Sequence, residues 1–253
     1  MGRIIALANQ KGGVGKTTSA VNIAASLGIL GRKVLLADLD PQGSATSSLG
    51  VSKKNLRFTV ADLLIGGCNT RDTIIETEFE NLDLLPANIH LAATEYDLLE
   101  GEGAENHLRR ILLPLKDDYD YIILDCPPSL GMLTVNAMVA ADGVIIPMQC
   151  EFFALEGLSQ LMLTIQRMKK RYRPTLMVTG ILVTMYNPRL TLSAQVMGEL
   201  KRHYGDQVFE TTVSRNVKLT EAPGFGMPAY YHDRSAKGAK EYLQVARELL
   251  QRT

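Results

Sequence analysis

Two lysines, three glycines and two threonines, run together as Lys11-Gly12-Gly13-Val14-Gly15-Lys16-Thr17-Thr18, are the residues of this chain best placed to do chemistry. Glycines at this spacing let backbone N–H groups turn inward around a phosphate, and a helix N-terminus behind them adds partial positive charge. Lys16 would then reach β- and γ-phosphates, while the Thr17 hydroxyl would ligate Mg²⁺. An ordinary strand-to-helix turn needs the glycines but has no use for Gly15-Lys16-Thr17. The pattern therefore implies a nucleoside triphosphate site cradled by Gly12, Gly13, Val14, Gly15 and Thr18. A dinucleotide fingerprint fails, because Thr18 stands where its third glycine belongs. Two departures from the usual loop remain: Gln10 replaces its opening glycine, and Lys11 has no place in it. Read alone, Lys11 is a solvated lysine.

Two acidic strand ends complete the chemistry. In Leu35-Leu36-Ala37-Asp38-Leu39-Asp40-Pro41-Gln42, an apolar run delivers two carboxylates. Strand ends face the ligand crevice of α/β sheets, so a carboxylate there orients an attacking water or holds a Mg²⁺-bound one. The bland alternative is a solvated strand end with Pro41 opening a turn; the sequence context favours a role for Asp40 over Asp38. Asp120-Tyr121-Ile122-Ile123-Leu124-Asp125 repeats the device and brings Asp125 beside Mg²⁺, through water. An acid after an apolar strand is common; three such elements in this order are not.

The elements that must position these groups are legible as alternation. Short apolar runs at 3–8, 33–38, 82–86, 121–125, 143–147, 177–184 and 207–213 read as strands. Helical patterns occupy 16–30, 104–115, 131–141, 154–172, 190–204 and 236–251, and 44–81 is left for short helices near the nucleotide. Strands alternating with helices predict an α/β fold with a doubly wound, mostly parallel sheet flanked by helices, in one domain spanning 1–253. Lys+Arg and Asp+Glu both count 27, so any DNA-binding surface has to be a local patch. Cys68, Cys126 and Cys150 have no CxxC spacing and no leader precedes them, which reads as reduced cytosolic thiols. His90, His107, His203 and His232 show no metal spacing. No apolar run approaches the roughly 20 residues that span a bilayer.

With these residues in view, the sequence resembles the deviant Walker A ATPases, and among them the ParA/Soj type that segregates chromosomes and plasmids. The resemblance runs nearly end to end, through residues 11–18, 38–42, 125–129, Glu151-Phe152-Phe153-Ala154-Leu155-Glu156-Gly157, and Arg215-Asn216-Val217-Lys218-Leu219-Thr220-Glu221-Ala222-Pro223. It implies a slow, dimer-dependent ATPase in the cytoplasm, associated with the nucleoid, using ATP and Mg²⁺. Lys11 becomes the lysine that crosses an ATP-sandwich homodimer to the partner's nucleotide, and Asp40 the residue that activates water. Lys11, Lys16 and Asp40 are thus the catalytic candidates, Thr17, Asp40 and Asp125 the metal candidates, and Asn216 with Pro223 the adenine side. The family's usual proline before Arg215-Asn216 is Ser214 here, which removes one apolar contact from the adenine side.

The resemblance also implies nonspecific double-stranded DNA and a ParB/Spo-type centromere-binding protein as partners. Arg189, Arg215 and Lys218 are the candidate phosphate contacts, with Lys201 and Arg202 as additions. The run from Arg167 to Arg173 reads better as a basic helix end before Pro174. The chief alternative is a MinD-like membrane-cycling ATPase, which needs a basic amphipathic C-terminal helix. Residues 241–250 are amphipathic but mixed in charge, with Leu243, Ala246, Leu249 and Leu250 as a core-facing stripe, so no stable membrane association is expected. A nitrogenase iron-protein-like carrier needs paired interface cysteines, a pattern that Cys126 and Cys150 do not match. Lys16 and Asp125 alone fit a biosynthetic ligase equally well; the blocks at 151–157 and 215–223 count against one.

Overall fold

The computed structural model describes residues 2–99 and 103–253. Its first half runs β1 (Arg3–Leu7), α1 (Lys16–Ile29), β2 (Val34–Asp38), α2 (Ser44–Ser48), α3 (Val60–Leu64), α4 (Thr70–Thr73), β3 (Ile75–Glu76), β4 (Leu82–Leu85) and α5 (His90–Leu99). Then come α6 (His107–Leu112), β5 (Tyr121–Asp125), α7 (Met132–Ala140), β6 (Gly143–Gln149), α8 (Ala154–Arg171) and β7 (Met177–Thr184). The chain closes with α9 (Thr191–Tyr204), α10 (Val217–Glu221), α11 (Ala229–His232) and α12 (Lys237–Arg252). The strands form one sheet in the order β3-β4-β2-β5-β1-β6-β7. Every pairing is parallel except β3 with β4. The expected doubly wound sheet is what the chain forms.

Apolar residues on both faces of the central strands divide between two helix layers. Ile4, Ala6, Leu35 and Ala37 pack with α3 and α5–α9, while Ile5, Leu7, Val34 and Leu36 pack with α1 and α12. Pairing is in register at the carboxyl ends: Leu7 and Asp38 both align with Asp125 of the strand between them. Period-2 geometry then sets the two carboxylates side by side where the phosphate loop leaves β1.

Three expectations change. Helix α5 lies in a stretch that the sequence patterns leave unassigned, and only Leu91, Thr94 and Leu98 of it are buried. The stripe on α12 is Tyr242, Val245, Ala246 and Leu249, with Leu243 and Leu250 only half-buried. Most instructively, 207–213 is not a strand. It bonds β7 at two points, Phe209 N–H to Ile181 O and Val213 N–H to Val183 O, both 2.9 Å. Side chains of α12 take further polar groups of this stretch. Arg252 donates to the carbonyls of Asp206 and Val208 at 2.8 and 2.9 Å, and Glu248 accepts from the N–H groups of Glu210 and Thr211 at 2.9 and 3.1 Å. Glu241 accepts from Ser214. Side chains of one helix thus do the work of an eighth strand, which caps the sheet edge.

Candidate nucleotide site

The loop between β1 and α1 takes its shape from glycine. Gly13 and Gly15 sit at φ 74° and 85°, left-handed backbone that favours glycine, and Gly15 is the N-cap of α1. Neighbouring strand ends hold the loop's carbonyls outward. Gln149 Nε2 donates to Gly13 O and Thr184 Oγ1 to Val14 O, both at 2.7 Å, while Asn9 Nδ2 donates to Pro147 O at 2.7 Å. With the carbonyls tied back, the loop's N–H groups are left to a ligand. Gln149 and Thr184 escape sequence reading because both are polar strand ends without a motif.

Lys16 is buried and donates to Lys11 O at 3.2 Å. Burial pulls its pKa down, and the carboxylates of Asp125 and Asp40 push back. Asp125 is wholly buried, and neither carboxylate oxygen has a hydrogen-bond donor. Burial and the adjacent Asp38 charge raise its pKa well above the carboxylate range; the Thr17 side chain and Lys16 offset this only in part. An unpartnered buried carboxylate beside a hydroxyl is what a hydrated cation would satisfy. Among the described residues no three acidic, His or Cys side chains form a metal cage on their own. The donor set therefore fits Mg²⁺ held by Thr17 and substrate phosphates, with Asp125 behind its waters.

Asp38 does not reach outward as its strand-end position first implies. Its Oδ2 accepts from Thr46 N and Oγ1 at 2.8 and 2.7 Å, and its Oδ1 from Asp40 N at 3.1 Å. Burial pushes its pKa up to about 6 despite those bonds. Thr46 accepts in turn from Ala87 N at 3.0 Å, so Asp38 and Thr46 pin the Asp40 turn to β4. Asp40 is half-buried, with Oδ1 engaged by Gln42 N at 2.9 Å. Lys11, half-exposed, is ion-paired with Glu151 of its own chain. Cys126 lies beside Asp125, and burial keeps its thiol protonated.

Next to the loop lies a cavity of about 390 Å³, lined by Gly15, Thr18, Met185, Asn216, Leu219 and Pro223 among others. Asn216 and Pro223 thus do meet at one site. Asn216 caps α10 through Oδ1, at 2.9 Å from Lys218 N, which leaves its Nδ2 hydrogens to offer a ligand. Met185, at φ 50°, holds a left-handed conformation that is costly for a side chain, and such strain gathers at ligand sites.

The basic candidates flank this cavity. Tyr186 N donates to Val213 O at 2.9 Å and Tyr186 pairs with Ser214, so the loop bearing Arg189 runs beside the stretch that bears Arg215 and leads into Lys218 on α10. Arg189 and Arg215 are exposed; Lys218 is paired with Glu221 at 2.9 Å. Lys201 and Arg202 do not join them. They sit in the last turn of α9, roughly 15 Å along the helix from its Arg189 end. Arg173, from the other basic run, bonds Asp142 Oδ1 at 3.0 Å and is structural.

A family model described as an AAA domain matches residues 2–178. The sporulation initiation inhibitor protein Soj of Bacillus subtilis is 49% identical over 249 residues, covering 98% of each chain. The chromosome partitioning protein ParA of Myxococcus xanthus is 47% identical over 252 residues, covering 100% of this chain and 89% of that one. Among solved structures, a Mycobacterium smegmatis protein described as cobyrinic acid a,c-diamide synthase, with bound ATP analogue and magnesium, superposes with TM-score 0.86 at 39% identity. That match covers 99% of this chain and 95% of the other. Sheet order, phosphate loop and near-complete coverage at almost half identity agree: the chain belongs to the ParA/Soj family of partitioning ATPases.

Proposed function

We propose that residues 1–253 work as one P-loop ATPase unit whose ATP-bound homodimer holds nonspecific double-stranded DNA and releases it on hydrolysis. ATP and Mg²⁺ are the ligands that the donor set fits, and the M. smegmatis relative with ATP analogue and magnesium supports them. Loop N–H groups and Lys16 bind the β- and γ-phosphates, Thr17 offers its hydroxyl to the metal, and Asp125 orders the water around it. Bound Mg²⁺ would neutralise charge on the β- and γ-oxygens. Asp40 orients the attacking water, held in place by Asp38 and Thr46. The base occupies the cavity at Asn216 and Pro223. Lys11 reaches the partner's nucleotide only by leaving Glu151, so hydrolysis waits for dimerisation.

The observation that carries the DNA reading is the sharing of residues between the cavity and the basic loops. Arg215 and Asn216 line the cavity, Arg189 stands on one of the two stretches that the Tyr186–Ser214 bridge joins, and Lys218 follows the other on α10. Nucleotide binding therefore orders the surface that meets phosphates. The membrane-cycling alternative has less support, because the apolar stripe of α12 is buried against α1. A ParB/Spo-type protein that triggers hydrolysis, and a cytoplasmic, nucleoid-bound location, follow from this reading.

The test is binding of a mixed-sequence duplex with ATP, ADP or no nucleotide, using Asp40→Ala to retain ATP. DNA bound only with ATP, and lost steeply as salt rises, supports the switch. Arg189→Ala is expected to weaken that binding while leaving dimerisation intact. Binding in no state, with ATP-dependent sedimentation on anionic vesicles, would replace this reading with the membrane-cycling one.

A further inference from the structure

We infer that Glu241, outside the nucleotide cavity, is a positioning residue that fixes the cavity's base-side wall through Ser214. Both donors of Ser214, its N–H and its hydroxyl, meet Glu241 Oε2 at 2.9 Å. The carboxylate is largely buried, with 16% of its side chain exposed, and Lys237 Nζ stands 3.6 Å from its other oxygen. Ser214 is itself part of the cavity lining, one residue from Arg215 and two from Asn216. On its far side the same residue is bridged to Tyr186. The wall is thus held between the extension of β7 and α12.

The next residue along α12 reinforces the hold. Tyr242 lines the cavity, and its hydroxyl lies 2.9 Å from Ser19 Oγ on the helix that carries the phosphate loop. One turn of α12 therefore connects both halves of the site. A proline at 214 would fix the local backbone through its ring, but it has neither N–H nor hydroxyl to give the carboxylate. With serine there, the freedom that proline would remove is removed instead by two hydrogen bonds to one buried acceptor. Ser214 thereby transfers the constraint to Glu241. Charge-assisted bonds of this geometry are the stronger kind, and an orphaned N–H would favour a shifted wall.

This inference rests on the reading of the cavity as the nucleoside site, and the experiment separates the two. Binding constants for Mg·ATP and basal hydrolysis are measured for Glu241→Ala, Glu241→Gln and the double variant Glu241→Ala/Ser214→Pro. Glu241→Ala is expected to raise KM and the dissociation constant about tenfold, with kcat within about twofold. Glu241→Gln should stay near wild type, since its amide oxygen accepts from both donors. The double variant should recover most of the loss, because no donor is left orphaned. A lower Tm with unchanged affinity in Glu241→Ala would reduce Glu241 to a structural role and overturn the inference. Thr220→Trp fills the cavity: if it blocks ATP while Glu241→Ala does nothing, only the inference falls. If it binds ATP normally, the placement of the base falls with it.

Discussion

Replacing Asp125 by asparagine should make the nucleotide-free protein more stable while damaging its use of Mg²⁺. The carboxylate is fully buried, has no donor within the chain, and sits in register with Asp38. Asp38, which has three donors, is nonetheless pushed up to about 6 from 3.8. A buried acceptor left without a donor costs about 1–3 kcal/mol, so neutralising Asp125 should return on the order of 2 kcal/mol. The sign follows from linkage. The raised folded-state pKa means that the folded protein holds a proton the unfolded chain has lost. Its stabilisation is complete below the unfolded value of about 4 and disappears as pH rises through the folded value. The asparagine protein lacks this loss, so its advantage should grow as pH rises above about 4. For a chain of this size that corresponds to a Tm about 4–8 °C above wild type at pH 8. In the same protein, Mg²⁺-dependent ATP affinity should fall about 10–100-fold. Unfolding followed across pH, without and with Mg·ATP, reads both effects. An apo Tm at or below wild type at pH 8, or a gain that does not vary with pH, would refute the unpaired buried carboxylate.

Two further outcomes follow from the site's supports. Thr46→Val removes the hydroxyl that Asp38 accepts and Ala87 N–H donates to, so it should cost about 1–2 kcal/mol in denaturant unfolding. Because it frees the Asp40 turn, it should also lower kcat about tenfold with ATP affinity little changed. Asp142 stands apart from the site: burial opposes its charge, but Ile4 N–H, Lys116 and Arg173 outweigh that and hold its pKa below the usual range. Asp142→Asn should cost about 1–3 kcal/mol at pH 7, reduced from the fully buried case by partial exposure. In wild type the same contribution is present above about pH 4 and is lost as pH falls through the depressed value, which acid unfolding would read.

The elements and the site were legible to different depths, for physical reasons. Strands β1, β2, β5 and β6 announce themselves because burial on both faces demands unbroken apolar runs. Helix α5 does not, because it turns only Leu91, Thr94 and Leu98 inward and leaves Tyr96 and Leu99 exposed. The run 207–213 carries a strand's composition yet divides its backbone bonds between β7 and the side chains of Glu248 and Arg252, which lie 37 to 44 residues away. No local pattern records such a capture. The hold on Ser214 is hidden for the same reason, since it comes from Glu241 of α12.

What the sequence determined by itself is the chemistry: a phosphate loop with Lys11 and Lys16, two acidic strand ends, and a family whose motifs span the chain. Those are properties of residue type and short spacing, and short spacing survives folding. Tertiary structure decided which of these groups are free to act. Register set Asp38 beside Asp125, and Thr46 then took Asp38 out of reach of a ligand while Asp125 was left without a donor. It paired Lys11 with Glu151, drew Arg189 beside Arg215 and Lys218, and left Lys201 and Arg202 behind. Each of these is a long-range pairing fixed by packing and burial, and burial is what turns a carboxylate into a support, a metal partner or a solvated charge.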